Sequence, residues 1–205
     1  MDITGLILAG GRGTRMGSVD KGLQLLDARP MVQHVLARLQ PQVQQVHINA
    51  NQNLETYAAL GLPVWTDALP DFAGPLAGLQ TGLMHCPTPW LVTAPCDSPF
   101  LPADLVATLS AGLQRDGAEL ALAVTGDGPT TQTHPVFCLA SVTLLPALTR
   151  YLEGGGRTMG AWFDTVRVAR VHFADDAAFR NINTLEELRQ SAQHTPHEIS
   201  SQIDL

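Results

Sequence analysis

The sequence predicts an α/β protein in one domain: a Rossmann-like, open, mostly parallel sheet with helices on both faces. Three observations carry that expectation. Apolar runs of strand length alternate with stretches of helical periodicity, the order that lays strands parallel and covers both sheet faces with connecting helices. A glycine-rich loop directly follows the first apolar run. The 205 residues are 45% hydrophobic and 15% charged, which supplies one good core and is short for two.

The elements follow in order. Ile3–Leu8 reads as a buried strand. After the glycine loop, Pro30 opens a helix at its first turn, with Val32, Val35, Leu36 and Leu39 on one face. Residues 43–50 make a second strand, 55–60 a short helix and 63–66 a third strand. A helix over 75–85 precedes a fourth strand at 90–94, and a helix over 102–114 precedes a strand at 120–124. The second half is less regular: a strand at 134–139, a helix over 142–152, a short helix at 158–163 and a strand at 166–173. Thr184 and Glu187 form a T-x-x-E capping box for a last helix. Beyond about Gln193 the tail HTPHEISSQIDL has little apolar content and is expected to fray.

The formal net charge is −7, which argues against a general nucleic-acid or anionic-membrane binder. No stretch approaches the roughly 18 to 20 apolar residues of a membrane span, and the N-terminus lacks the basic region of a signal peptide. A cytoplasmic protein is the expectation. The three cysteines, Cys86, Cys96 and Cys138, have neither zinc-site nor disulfide-framework spacing and read as buried thiols.

In open parallel sheets ligands bind beyond the carboxyl ends of the strands. The residues there are the loop from Ala9, then Asn49 and Asn51, then Asp67, then Cys96 and Asp97. The loop, LAGGRGTRMGSVDKG, holds five glycines between Gly10 and Gly22, which lets backbone N–H groups approach an anion closely. It is not a dinucleotide fingerprint, because Met16 stands where the third glycine belongs, and Lys21 followed by Gly22 breaks a Walker loop. Arg12, Arg15 and Lys21 place three of the chain's twelve cations in this one loop, a pattern suited to a nucleotide's phosphates. Lys21 is the only lysine. A compact point charge on a flexible stem meets a single phosphate in a way that arginine's planar fork does not.

The stretch from Leu8 to Lys21 resembles the L-A-G-G-x-G-x-R-M-G…K signature of nucleotidyltransferases that activate sugar phosphates and related metabolites. VDKG at 19–22, HINAN at 47–51, TD at 66–67, GPLAG at 74–78, PCDSPF at 95–100 and NINT at 181–184 make the chain look most like the molybdenum cofactor guanylyltransferase family. The resemblance implies a fold of the nucleotide-diphospho-sugar transferase type, with a nucleotidyltransferase domain over 1–192 and a flexible tail over 193–205. It implies transfer of GMP from GTP to the phosphate of the molybdenum-pterin cofactor, with Mg²⁺. Leu8, Ala9 and Gly10, with Gly11 and Gly13 in the loop, would hold the nucleotide through backbone groups. Lys21 would contact phosphate, Asn49 and Asp67 would recognise the nucleoside, and Asp97 would bind the metal; Arg15, read from its own place in the loop, either contacts phosphate or closes the loop by a salt bridge. Asn181 and Asn183 match the family's second-substrate region. The partners implied are GTP and molybdopterin-type substrates, with transient contact to molybdenum-insertion proteins or molybdoenzyme chaperones, and a monomer as the default.

Each residue also has a plainer reading. Asp97 fits a turn or a helix N-cap, Asp67 a turn, and Asn49 a helix cap. Asp20 either reaches a metal through water or orients Lys21 by an ion pair, the second being favoured. Asn181 and Asn183 suit N-capping as well as pterin contact. Arg157, in GGGRTMG, either takes the second substrate's phosphate or closes a loop. His134 reads as a strand-edge histidine. The rival functions are a sister transferase using CTP or a sugar or polyol phosphate, a glycosyltransferase of related fold, and a non-catalytic nucleotide sensor. The glycosyltransferase is weakened because C-D-S stands where D-x-D belongs.

Overall fold

The chain opens with β1 (Ile3–Leu8), a two-strand ribbon of β2 (Leu25–Leu26) and β3 (Arg29–Pro30), and α1 (Met31–Leu39). β4 (Gln45–Asn49), α2 (Leu54–Ala58), β5 (Val64–Trp65), α3 (Pro75–Met84) and β6 (Trp90–Pro95) follow. The second half comprises α4 (Leu105–Asp116), β7 (Leu120–Thr125), β8 (Gln132–Ser141), α5 (Leu145–Glu153), α6 (Met159–Phe163) and β9 (Val168–His172). This is a computed structural model, and it describes residues 1–10, 20–68, 74–182 and 187.

Seven strands form one sheet in the order β5-β4-β1-β6-β8-β7-β9. All pair in parallel except β8, which is antiparallel to both β6 and β7. β8 is reversed because only a short 3-10 turn at Gly128–Thr130 separates it from β7, too short for a crossover. β1 pairs with β4 on one side and β6 on the other, which makes the β1/β6 boundary the switch point where such sheets open a crevice.

Period-two alternation along β1 sends Ile3 and Ile7 to one core and Leu6 to the other. The first core packs Val35 and Leu39 of α1, Tyr57 of α2, and Leu105 and Leu109 of α4. The second packs Leu76 and Leu79 of α3, Leu148 of α5 and Trp162 of α6. Helices therefore cover both faces, as the alternation of patterns requires.

Three details depart from the sequence reading. The β2–β3 ribbon is new: Asp27 and Ala28 both have positive φ, 49° and 61°, a turn geometry whose usual Asn-Gly signal the sequence lacks. Leu26 of the ribbon packs with Met31 and Ile182 in a third, small cluster. α4 starts at Leu105, after a turn in which Leu105 N–H donates to the Pro102 carbonyl at 3.3 Å. β8 is longer than expected and bulged, its pairing jumping from Leu122↔Cys138 to Ala123↔His134. Pro135 stands in that bulge, where a missing N–H costs no ladder bond. Of the expected capping box only Glu187 is described, and it is helical. Thr184 and the tail over 193–205 lie outside the described residues.

Among the described residues no helix is long and apolar enough to cross a membrane. Cys96 and Cys138 are buried free thiols and Cys86 is half-buried. Burial pushes the Cys138 thiol up to about 11, partly offset by a hydrogen bond with Thr93.

Two buried histidines give stability a pH dependence. His47 Nδ1 accepts from the Trp65 indole N–H at 3.3 Å, and burial, then neighbouring His85, lowers its pKa below 6.5. Burial also lowers that of His134, against the opposing charge of Asp176. Below pH 6.5 the unfolded chain then binds more protons than the folded one, so stability falls as pH drops through that value. Urea unfolding is expected to show lower stability at about pH 5.5 than at about pH 7.5. A His47→Gln/His134→Gln variant should flatten the difference, and an unchanged pH slope in that variant would refute the assignment.

Candidate active site

Lys21 and Asp97 meet at the switch point. Asp97 leaves the turn after β6, and Lys21 Nζ donates to its Oδ2 at 3.1 Å. The carboxylate side chain is 10% exposed and the lysine 22%, so the pair is largely buried while each side chain keeps some accessible surface. Asp97 is no helix cap, since α4 begins only at Leu105 with Asp104 at its cap position. Its carbonyl accepts from Ile182 N–H at 2.8 Å, which ties the turn to the C-terminal segment.

The backbone around Lys21 is set by Asp20. Asp20 Oδ1 accepts from Gly22 N–H at 3.1 Å and from the Tyr57 hydroxyl at 2.7 Å, and Oδ2 accepts from Asn53 Nδ2 at 3.0 Å. The expected Asp20–Lys21 ion pair is thus replaced: Asp20 caps the turn Lys21–Leu23, and Lys21 reaches across to Asp97. Tyr57 is fully buried. Burial, then Cys96 and Asp20, push its phenol far above the usual range, so it stays a donor. Gly22 is required here, because a Cβ would stand 2.5 Å from the Tyr57 oxygen and 3.1 Å from Cys96 Sγ. Cys96 itself is held as a neutral thiol by burial, reinforced by Asp97 and Asp20, and offers no nucleophile.

A second network lies past β4 and β5. Asp67 Oδ1 accepts from Asn49 Nδ2 and Oδ2 from Asn51 Nδ2, each at 2.8 Å, while Asp67 N–H donates to Asn51 Oδ1 at 2.9 Å. Asn49 is 2% exposed. Its amide holds Asp67 Oδ1 in place, and Asp67 itself is half-buried. Asn49 caps no helix: α2 starts at Leu54 behind Asn53. Next to this network the Leu8 carbonyl accepts from Cys96 N–H at 3.1 Å and Ala9 N–H donates to the Asn49 carbonyl at 2.8 Å. These bonds bring the end of β1, through Gly10, beside both clusters. Asn51 adds a 3.5 Å bond to the Gly10 carbonyl.

Asn181 joins the site from the C-terminal side, its Oδ1 accepting from the Ser98 hydroxyl at 2.6 Å. It also lines a cavity of about 870 Å³ with Pro95, His134, Phe137, Asp176 and Phe179. Arg157 Nη1 donates to the carbonyls of Leu152 and Gly156, each at 2.7 Å, contacts that close its own loop. Gly11, Arg12, Gly13, Arg15 and Asn183 lie outside the described residues. The sequence reading missed Tyr57 and Asn53, which carry no signal of their own. The strand-end rule had already pointed to Asn51.

The MobA-like NTP transferase domain family matches residues 5–168, a span that holds Lys21, Asn49, Asp67 and Asp97. A molybdenum cofactor guanylyltransferase of Cupriavidus taiwanensis is 59% identical over 189 residues, covering 92% of this chain and 95% of that one. The chain belongs to the molybdenum cofactor guanylyltransferases. One from Ralstonia nicotianae is 56% identical, covering 94% of this chain and 97% of its own. The crystal structure of molybdopterin-guanine dinucleotide biosynthesis protein A from Archaeoglobus fulgidus superposes with a TM-score of 0.71 at 18% identity, over 93% of this chain and 97% of that one. That likeness speaks for the fold alone.

For this guanylyltransferase the amide–carboxylate network dictates one further residue. A Cβ on Gly78 would lie 2.5 Å from Asn49 Oδ1 and 2.6 Å from Leu8 Cδ2. Gly78→Ala is expected to displace Asn49 and to cost about 1–3 kcal/mol of stability. Urea unfolding of the variant tests this, and a loss within error of zero would show that the network does not need the glycine.

Proposed function

We propose that the chain transfers GMP from GTP to the terminal phosphate of Mo-molybdopterin and releases pyrophosphate, with Lys21 and Asp97 at the reacting centre. The observation that carries this reading is the Lys21–Asp97 pair at the β1/β6 switch point. An oxygen of the acceptor phosphate bonds to the α-phosphorus of GTP as the bond to the bridging β-phosphate oxygen breaks. Both reactants are anions, so the protein's work is to position them and to offset their charge.

Among the described residues no three His, Cys, Asp or Glu side chains gather as a metal cluster. Mg²⁺ does not need one, because it keeps waters and takes one or two carboxylates plus substrate phosphates. Asp97 fits as that carboxylate, while Asp20 is committed to Gly22, Tyr57 and Asn53. When bound there, Mg²⁺ would supply charge neutralisation on the nucleotide phosphates. Lys21 and Asp97 each offset the other's charge. A nucleotide with its cation offers each a new partner, phosphate for Lys21 and metal for Asp97.

Asp67, aimed by Asn49 and Asn51, is the acceptor for N–H or O–H donors of the nucleoside. A polar site of this kind rejects a base whose groups leave it unpaired, by about 10⁴-fold in favourable cases. Leu8, Ala9 and Gly10 contribute backbone groups on the same side, and Arg15 a second phosphate cation. Asn181 is assigned to the acceptor, as is Asn183 by the family's motif alone.

Lys21→Ala and Asp97→Ala are each expected to lower kcat by about 10²-fold or more with the fold retained, since each removes charge stabilisation at the transferring phosphate. Near-normal turnover in both variants would defeat the mechanism. Calorimetric titration with GTP, CTP and ATP, each with Mg²⁺, is expected to show selective GTP binding that weakens in Lys21→Ala. Preference for CTP would move the assignment to a cytidylyltransferase.

A further inference from the structure

Beside the Asp97 turn lies the cavity walled by the β8 bulge and the segment leading to Asn181. Its floor is aromatic: the His134 ring stacks on Phe179 with centroids 4.6 Å apart and 21° between planes, and Phe137 meets Phe179 edge-on at 4.9 Å. His134 is 8% exposed. Its Nε2 lies 2.8 Å from Thr125 Oγ1, and the Thr125 hydroxyl donates to Asp176 Oδ1 at 2.6 Å. A hydroxyl has one proton, so with that proton on Asp176 the histidine is the donor and carries its hydrogen on Nε2. A buried imidazole thereby sets the direction of a buried hydroxyl, and the hydroxyl sets the direction of a carboxylate that is itself 69% exposed.

That chain has no structural need of Asp176 at the turn that follows. Asp176 occupies the cap position of the turn Ala177–Phe179 yet makes no side-chain cap bond. Asp175 does the local work instead, its Oδ1 accepting from Ala177 N–H at 3.0 Å. A surface carboxylate is ordinarily disordered among rotamers, and an orientation imposed from below has a cost in side-chain entropy. Here the fold imposes one, on a group that lines the cavity.

We propose that Asp176 is a specificity-determining residue for the acceptor: it reads the adjacent N–H donors of a fused pyrimidine heterocycle seated in this cavity, with Thr125 and His134 as its positioning residues. The inference rests on the guanylyltransferase reading above. An ionised carboxylate offers about four lone-pair sites, and Thr125 occupies one, so the remainder can take two parallel N–H bonds from an amino group and its neighbouring ring N–H. The aromatic wall suits a flat ring. Arg180, also on the wall and next in sequence to Asn181, is a cation available to the acceptor's phosphate.

The test is steady-state kinetics of the full chain with GTP, Mg²⁺ and Mo-molybdopterin, comparing wild type with Asp176→Asn, Asp176→Ala, Thr125→Val and Thr125→Ser. GTP affinity is measured in parallel by calorimetry. Loss of a hydrogen-bonded charge in a site is expected to raise the acceptor KM about tenfold or more in both Asp176 variants. The GTP dissociation constant should stay unchanged. Thr125→Val should follow the Asp176 variants and Thr125→Ser should restore the wild-type KM. Asp176 is exposed, so its variants are expected to fold, and they decide the matter even where Thr125→Val does not. Wild-type transfer with an acceptor KM in the Asp176 variants within about twofold of wild type, which is below the smallest effect of losing such a bond, overturns the inference and leaves the guanylyltransferase reading standing. A wild-type chain that does not transfer GMP to this acceptor overturns that reading, and the inference with it.

Discussion

The ion pair between Lys21 and Asp97 is the constraint around which the rest of the structure is arranged. A carboxylate at the end of a buried strand needs an opposite charge, and a partly buried lysine needs a partner as much. Their 3.1 Å contact draws the end of the glycine loop across the crevice to the turn after β6. The sheet then has no choice about where its ligand end lies. β1 and β6 are neighbours with their carboxyl ends aligned, Leu8 opposite Pro95, so the residues that leave β1 at Ala9 and Gly10 and the turn that leaves β6 at Cys96 and Asp97 start side by side.

Around that pair the molecule orients acids rather than accumulating them. Asp20 is held by a backbone N–H, a phenol and an amide. Asp67 is held by two asparagine amides, and Asp176 by a threonine under the direction of a histidine. In each case a neutral donor fixes the carboxylate without cancelling its charge. That matters in a protein of net charge −7 whose ligands are anions. A carboxylate held by a neutral donor keeps a fixed direction, so it need not face an anionic ligand's phosphates. The fully buried Tyr57 and the 2%-exposed Asn49 are the clearest examples of buried side chains that hold an acid in place.

Much of this was legible in the residue order. The alternation of apolar runs with helical periods led directly to the layered sheet, and the strand-end rule led to Asn49, Asn51, Asp67 and Asp97 before any coordinates. Lys21 stood out because it is the chain's only lysine. What was not legible has a common cause. Tyr57 reads as one more apolar position on a short helix, and its hydroxyl becomes meaningful only when α2 brings it 2.7 Å from Asp20. The β2–β3 ribbon has strands of two residues, too short for any period to register. His134 looked like an edge histidine because its partners, Thr125 and Asp176, come from β7 and from a turn 42 residues further on.

The sequence by itself therefore determined the fold class and the end of the sheet where the candidate site lies, since local periodicity and strand-end chemistry are properties of neighbouring residues, while the family was legible through the resemblance of motifs such as LAGGRGTRMGSVDKG and PCDSPF. The tertiary structure decided which acid pairs with which donor. It moved Asp20 from partner of Lys21 to cap of its turn, made Asn49 an orienting residue behind Asp67, and put Arg157 on the carbonyls of its own loop. Those assignments depend on distances of about 3 Å between groups far apart in the chain, where hydrogen bonds weaken steeply with small misplacement, and only the packed sheet and its helices set such distances.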